Sequence, residues 1–423
     1  MRTLTLIALI GCHAAEGRVR TDEPAMPRPA DCREVTPRES LQAAVDSGAT
    51  VLCLAPGRHE GPIRIDRAVT VWGPREAVIA AERGSIVMIT GSGAQLLGMT
   101  VDGTGGSFDA LDAAVKVTGT DIRIEGIAIT NAVYGVLVEK SERVQVIGNH
   151  VHGDNETAMG LRGDTIRLWE TRDSVVENNF VEDGRDVVIW YSSGNRIENN
   201  RIVRGRYGAH FMYSHNNIVR HNELRGGVVG VFAMYSRGLV LSDNTIVDAA
   251  GAAGMGIGIK ESGNLTLEHN LLVHDAVGIY IDSSPLQLTD TLVIRNNVLR
   301  LNQVGFVFHA SGHRISIEDN DLADNDVQVR VDGGGTATDV DWRGNYFDDY
   351  TGYDFDDDGR GDVQYELRSA SGQLVAEHAD IALFRGTPAL RLVDAAAHLD
   401  PLFQPQLVLT DPTPRMSAKQ EVP

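Results

Sequence analysis

The sequence predicts an all-β fold, a right-handed parallel β-helix, and three observations carry that expectation. A Ser or Thr recurs at Thr90, Thr118, Ser141, Thr171, Ser192, Ser214, Ser236, Ser262, Ser284 and Ser311, at intervals of 28, 23, 30, 21, 22, 22, 26, 22 and 27 residues. Eight residues after most of these stands a Gly or Asn: Gly98, Gly126, Asn149, Asn179, Asn200, Asn222, Asn244 and Asn270, with Asn296 and Asn320 taking the place after the last two. Between and before these markers lie short alternating runs such as NLTLEHN and GVLVEKS. A repeat near 22 residues made of short strands means a solenoid whose coils pair in parallel about 4.8 Å apart. Three short strands per coil fill that repeat, where hexapeptide-type coils need about 18 residues. Roughly ten or more coils follow, with a short helical N-terminal cap and a C-terminal tail.

In chain order, MRTLTLIALIGC comes first. One Arg before a short apolar run fits a signal peptide over residues 1–11, and the run is too short to span a bilayer. Leu9-Ile10-Gly11-Cys12 resembles a bacterial lipobox, which implies cleavage before Cys12 and a lipid on its thiol. The plainer alternative is an ordinary signal with a chance Cys. Residues 12–36 then read as a lipidated tether, Pro-bearing and of mixed charge. With Cys12 lipidated, Cys32 and Cys53 remain, and outside the cytoplasm a pair this close reads as a disulfide. A catalytic thiol is the weaker alternative, because no activating base is evident.

The solenoid is assigned to residues 37–345. SLQAAVDSGATVLCLAPGRHEGPIRI opens it as a short amphipathic helix, a strand and a turn, and such a helix covers an exposed sheet edge. The Asn column is read as structural, because Asn tolerates left-handed backbone and stacked amides bond from coil to coil. Alternation in GVLVEKS, GIYIDSS and GFVFHAS sends Val136, Val138, Ile279, Ile281, Phe306 and Phe308 to the core. The same register turns Ala209 and Phe211 inward. It turns His210 and Met212 outward, with Phe232 and Met234 directly above them.

The middle four coils therefore present Trp169, Val188, Trp190, Met212, Phe232 and Met234 as an apolar strip on a face expected to be wet. Such a patch marks a docking site, and methionines suit adaptable docking. His210, Met212 and Met234 are also soft to borderline ligands suited to Cu(I), with Trp190 placed to cap a cation. Three readings stay open: a docking face, a copper site, or a face covered by the C-terminal segment.

Residues 346–365 form an acidic loop. Asp354, Asp356, Asp358 and Asp362 spell D-x-D-x-D-G-x-x-D, hard oxygens before a Gly turn that suit Ca²⁺. An EF-hand needs an acid at the position Tyr365 occupies, so this is a variant calcium loop or simply a solvated acidic turn. Residues 366–423 read as a cap or tail, with one or two short helices over 378–403 and Thr387-Pro388 at a helix start. The formal net charge of -20 repels nucleic acid and anionic lipid, so membrane contact is expected only through the lipid anchor.

RDVVIWYSSGNRIENN, RYGAHFMYSHNNIVRHNELR, VGVFAMYSRGLVLSDN and VGIYIDSSP resemble successive coils of the NosD family, periplasmic maturation proteins of nitrous oxide reductase. GNYFDDYTGYDFDDDGRGDVQY resembles the family's segment after the solenoid, and PALRLVDAAAHLDPLFQPQLVLTDPTPRM its closing tail. The likeness spans most of residues 35–416. It implies a periplasmic, non-enzymatic protein working with the membrane and ATPase subunits of an ABC transporter. It further implies that a copper chaperone lipoprotein feeds it, so that copper or sulfur reaches nitrous oxide reductase. It carries a docking or copper-transfer role onto His210, Met212 and Met234. One departure is the lipobox, since many members look like soluble periplasmic proteins.

The competing class is a carbohydrate-active β-helix enzyme, a lyase, epimerase or hydrolase. It needs paired acids or a base in an outward groove. Glu139, Arg167, Lys260 and Asp282 are the candidates, scattered among coils whose centre is apolar. A passive scaffold has no need of an apolar stripe.

Overall fold

The computed structural model describes residues 26–153, 158–384, 387–397 and 405–419. The chain winds into three parallel sheets, each coil giving one short strand to each. In chain order within a coil, sheet I has 14 strands from Arg33–Val35 to Asp341–Arg343, and sheet II has 13 from Gly57–Glu60 to Tyr346–Phe347. Sheet III has 12, from Ile63–Ile65 to Val327–Asp332. This is a right-handed parallel β-helix of about 14 turns, in accord with the repeat. It starts at Arg33, inside the stretch assigned to the tether, and ends at Phe347, inside the stretch assigned to the acidic loop.

Alternation sets the interior. Val136, Val138, Phe211, Ile279, Ile281, Phe306 and Phe308 are all fully buried between the sheets. Corners are made by single left-handed residues, which most side chains adopt only at a cost. Between sheets I and II these are Asn178, Asn199, His221, Asp243, His269, Asn296 and Asp319, all with φ between 53° and 58°. The buried amide belongs to the next residue. Asn149, Asn179, Asn200, Asn222, Asn244, Asn270, Asn297, Asn320 and Asn345 form one ladder, each Nδ2 donating to the next Oδ1 at 2.9–3.0 Å. The sequence reading merged these two columns, which is why it placed Asn296, the corner, where Asn297 stands. A second ladder runs from Thr171 through Ser192, Ser214, Ser236, Ser262 and Ser284 to Ser311, each serine hydroxyl accepting the N–H of the ladder residue one coil before.

Both ends are covered. Helix α1, Leu41–Asp46, is capped by Ser40, whose Oγ accepts the Ala43 N–H at 3.2 Å. It buries Leu41, Ala44 and Val45 against the first coil. At the far end Tyr365–Ser369 pairs antiparallel with Gln406–Asp411. Helices α2, Ala370–Glu377, and α3, Pro388–Ala397, with a 3₁₀ turn over Ala379–Phe384, lie between those strands. The helical segment thus begins at Ala370, earlier than the sequence reading had it. Ser369 stops the strand and caps α2 through the Gly372 N–H at 2.9 Å.

Candidate functional site

Sheet III carries the strip. Its register pairs Trp169 with Trp190, Val188 with His210, Trp190 with Met212, His210 with Phe232 and Met212 with Met234. Trp169, Trp190, Met212, Phe232 and Met234 are half-buried, side by side on the outward face. The described part of the C-terminal segment lies on the last coils instead. Arg415 bonds the carbonyls of Gly344 and Asn320 there, at 2.7 and 3.0 Å.

Two members of the strip are not on a wet surface. Val188 is fully buried and His210 is only 5% exposed. The physical reason is the size of the neighbours. His210 is ringed by Tyr207, Trp190 and Phe232, with ring centroids 4.9, 5.4 and 6.0 Å away. Neither ring nitrogen of His210 has a hydrogen-bond partner, and both are shut off from solvent. The Asp186 carboxylate is the nearest charge, 3.9 Å from Nδ1 and too far to accept a hydrogen bond.

Beside His210 lies a buried charge cluster that sequence reading missed apart from Arg167. Arg185 donates from Nη2 to Asp164 at 2.8 Å, and Arg206 donates from Nε to Asp186 at 3.0 Å. Burial alone would raise the Asp186 carboxyl, but His210 and Arg206 outweigh it and hold it below its ordinary value. Burial raises Asp164 above its ordinary value against the pull of Arg185. The Arg167 guanidinium lies 4.5 Å from the Trp169 ring and 5.5 Å from the Trp190 ring. Its closest acid is Asp164, 3.9 Å away. The Arg167 Nε and Trp190 Nε1 donors are buried and unpartnered. Nothing in the periodicity marks Asp164, Arg185 or Arg206, because they sit at corners and strand entries where coil lengths vary.

The strip ends in ion pairs. Lys116 meets Glu139 at 3.7 Å on one side. On the other, Asp282 joins Lys260 at 3.3 Å and the His309 Nδ1 at 3.0 Å. Lys260 and Asp282 are therefore adjacent rather than scattered, whereas Glu139 and Arg167 stand apart from them. Along the strip's edge Tyr191, Tyr213 and Tyr235 stack with centroids 5.3 and 4.8 Å apart, each at a left-handed corner with φ of 50–51°. The repeated Tyr-Ser pair was the sequence signal for them.

In the acidic loop, carboxylate oxygens of Asp354, Asp356 and Asp362 lie within 4.8 Å of one another. Asp358 is outside this trio, its Oδ1 taken by the Arg360 N–H at 2.8 Å. Asp354 likewise accepts the Gly359 N–H at 2.9 Å, so part of the cluster serves the turn itself. The negative charge of Asp358 raises the Asp356 carboxyl. Cys32 and Cys53 are joined in a disulfide with Cα atoms 5.7 Å apart, tying the first strand to the second coil. Cys12 and the signal segment fall outside the described residues.

Residues 147–352 match the family described as "Periplasmic copper-binding protein (NosD)". The chain is 30% identical over 385 residues to a protein of Pseudomonas aeruginosa named "Probable ABC transporter binding protein NosD", covering 88% of this chain and 89% of that one. A protein of the same name from Stutzerimonas stutzeri is 27% identical over 357 residues, 80% of this chain and 81% of that one. Among solved structures, the A-module of the mannuronan C-5 epimerase AlgE6 from Azotobacter vinelandii superposes with a TM-score of 0.56. It is 15% identical and covers 71% of this chain and 93% of its own, a likeness of fold alone. The match to the Pseudomonas protein runs nearly end to end and includes the coils that carry the outward strip, and by it this chain belongs to the NosD family.

Proposed function

We propose that this chain is a periplasmic accessory protein, not an enzyme, that receives Cu(I) on the outward strip of sheet III. With an ABC transporter and a copper chaperone lipoprotein it passes that cargo towards the copper centres of nitrous oxide reductase. One observation carries the reading: His210 is buried with neither ring nitrogen hydrogen-bonded, the Asp186 carboxylate lying 3.9 Å from Nδ1, beside the register pair of Met212 and Met234. A buried imidazole that makes no hydrogen bond is costly, and a soft cation is a partner it accepts. The half-buried Trp169, Trp190 and Phe232 supply the surface on which a delivering or receiving protein docks. The names of the relatives, a copper-binding family and an ABC transporter binding protein, support the same assignment. Lipidation at Cys12 would hold the chain at the envelope. Ca²⁺ at Asp354, Asp356 and Asp362 is a subordinate part of the proposal, with Asp358 supporting the turn.

Competition titration with a chromogenic Cu(I) chelator tests this on the chain lacking residues 1 to 12. We expect one tight site that is lost in Met212→Ala/Met234→Ala and weakened at least tenfold in His210→Phe. Binding unchanged by both variants would remove copper from the strip and leave it a docking face. For the calcium loop, melting in CaCl₂ against EGTA should differ in the wild type and not in Asp356→Asn.

The enzymatic reading keeps one specific observation, the Lys260–Asp282–His309 relay on the same face. A His oriented by a carboxylate is the arrangement of a general base. Activity on uronate polymers, abolished by His309→Ala, would favour it.

A further inference from the structure

We propose that the outward face holds an anion subsite at Arg167, which takes a carboxylate, either a small free one or the acidic side chain of a partner. The cluster beside His210 brings three guanidinium groups, Arg167, Arg185 and Arg206, against two carboxylates, Asp164 and Asp186. Arg185 and Arg206 each have a carboxylate within hydrogen-bond range. Arg167 has none in that range: its Nη1 lies 3.9 Å from the Asp164 Oδ2, and Arg185 engages the other oxygen of that carboxylate, Oδ1, through both Nε and Nη2. Among the described residues the cluster is one negative charge short, in a chain whose formal net charge is -20. A partly buried cation that must share its counter-charge with a second cation is an expensive arrangement, and a chain this acidic had carboxylates to spare.

The free valences leave donors in excess. The Arg167 Nε and the Trp190 Nε1 are both donors, both buried, both unpartnered, and 5.5 Å separates the guanidinium carbon from the indole ring. The one buried carboxylate oxygen of the cluster without a hydrogen bond, the Asp164 Oδ2 3.9 Å from the Arg167 Nη1, can serve one of them, so the surplus donor calls for an acceptor ligand. Trp169 and Trp190 lie against the guanidinium, leaving its edge as the place to bind. Apolar walls exclude a strongly hydrated dianion such as phosphate, whose desolvation would exceed the gain. A singly charged carboxylate loses less water and matches the fork of an arginine. The donors lie below the surface, so the ligand is small or enters as one side chain. This subsite stands apart from the copper proposal: loss of Cu(I) binding in the methionine variants leaves it untouched.

The test is a titration of the full chain with sodium formate at ionic strength held by sodium fluoride. It reads the Trp190 indole N–H resonance, assigned with Trp190→Phe, together with the melting temperature. We expect a saturable indole shift and a saturable rise in melting temperature. In Arg167→Met both responses should vanish, and that variant, freed of a charge that only shares a carboxylate, should melt no lower than the anion-free wild type. Arg167→Lys, which keeps the charge but loses the Nε donor, should bind at least tenfold more weakly. N-acetyl-aspartate amide, with the asparagine analogue as control, separates the sources. Binding of formate alone assigns a small free ligand; binding of the blocked aspartate as well assigns a partner's side chain. A shift that is linear, or equal in Arg167→Met, or absent with both ligands, overturns the proposal. So does an Arg167→Met chain that melts below the wild type, or an Arg167→Lys chain that binds as tightly.

Discussion

Asp275 stands where the next two coils present amides. Its N–H donates to Asn302 at 2.9 Å, and the Asn302 N–H donates to Asn325 at 3.0 Å. Its own Oδ1 accepts the Ala249 N–H at 2.7 Å, while Oδ2 is buried without a partner. Burial pushes this carboxyl up to about 8, against the pull of the Ala249 N–H and with a small push from Asp248. The folded chain therefore keeps a proton that the unfolded chain releases above pH ~4. Stability from this group is full in acid and is lost as pH rises from ~4 to about 8. Asp275→Asn should stabilise the chain by on the order of 1–3 kcal/mol at pH 8 and by less at pH 5, read by guanidinium unfolding at both. Equal effects at the two pH values would mean the carboxyl is ionised throughout. At this scale the sequence shows direction but not depth. Alternation placed His210 and Val188 outward, and they do point outward. The burial of His210 depends on the ring sizes of Tyr207, Trp190 and Phe232, which meet it from its own strand and the neighbouring coils.

At the scale of the coil, two adjacent residues do different work, and a substitution series separates them. Asn222 accepts from the Asn200 N–H and Nδ2 at 2.9 and 3.0 Å, and donates to the Ile197 carbonyl and Asn244 at 2.8 and 3.0 Å. Asn222→Leu strands all four partners inside the solenoid and should cost about 2–5 kcal/mol. Asn199, one residue before Asn200, is an exposed corner with φ of 55°. Asn199→Gly should change stability by less than about 1 kcal/mol, because Gly adopts that backbone freely. Chemical unfolding of the two variants distinguishes them, and similar losses would mean the ladder amides add little beyond filling space. The repeat was readable because ladder and corner both recur every coil. The one-residue offset between them was not, since Asn serves in either place. The length of the excursions between strands was likewise hidden, and with it the meeting of Asp164, Asp186 and three arginines.

The whole molecule is a stack with two ends, and its lower end explains the tail. A parallel solenoid leaves its last coil with unpaired N–H and carbonyl groups, a template for another chain. Here Asp411 closes the amide ladder: its carboxylate accepts the Asn345 Nδ2 at 2.9 Å and the N–H groups of Asn345 and Gly344 at 2.9 and 3.2 Å. Buried Arg415 spans the same edge, bonding Gly344 and Asn320 carbonyls and pairing with Asp321. The tail read from sequence as a cap therefore works through two charged residues that complete a neutral ladder, a role no periodicity could announce. Asp411→Ala leaves four donors without their acceptor, these three and the Thr413 N–H. Its effect should be larger than a surface change, about 2–4 kcal/mol, and local to the last coils. Hydrogen exchange should show protection lost around Asp341–Phe347 while the strip on sheet III stays protected. Light scattering should show concentration-dependent association of the variant through the opened edge. Loss of protection spread evenly from the first coil to the last would mean the stack unfolds as one unit and the tail is no separate cap.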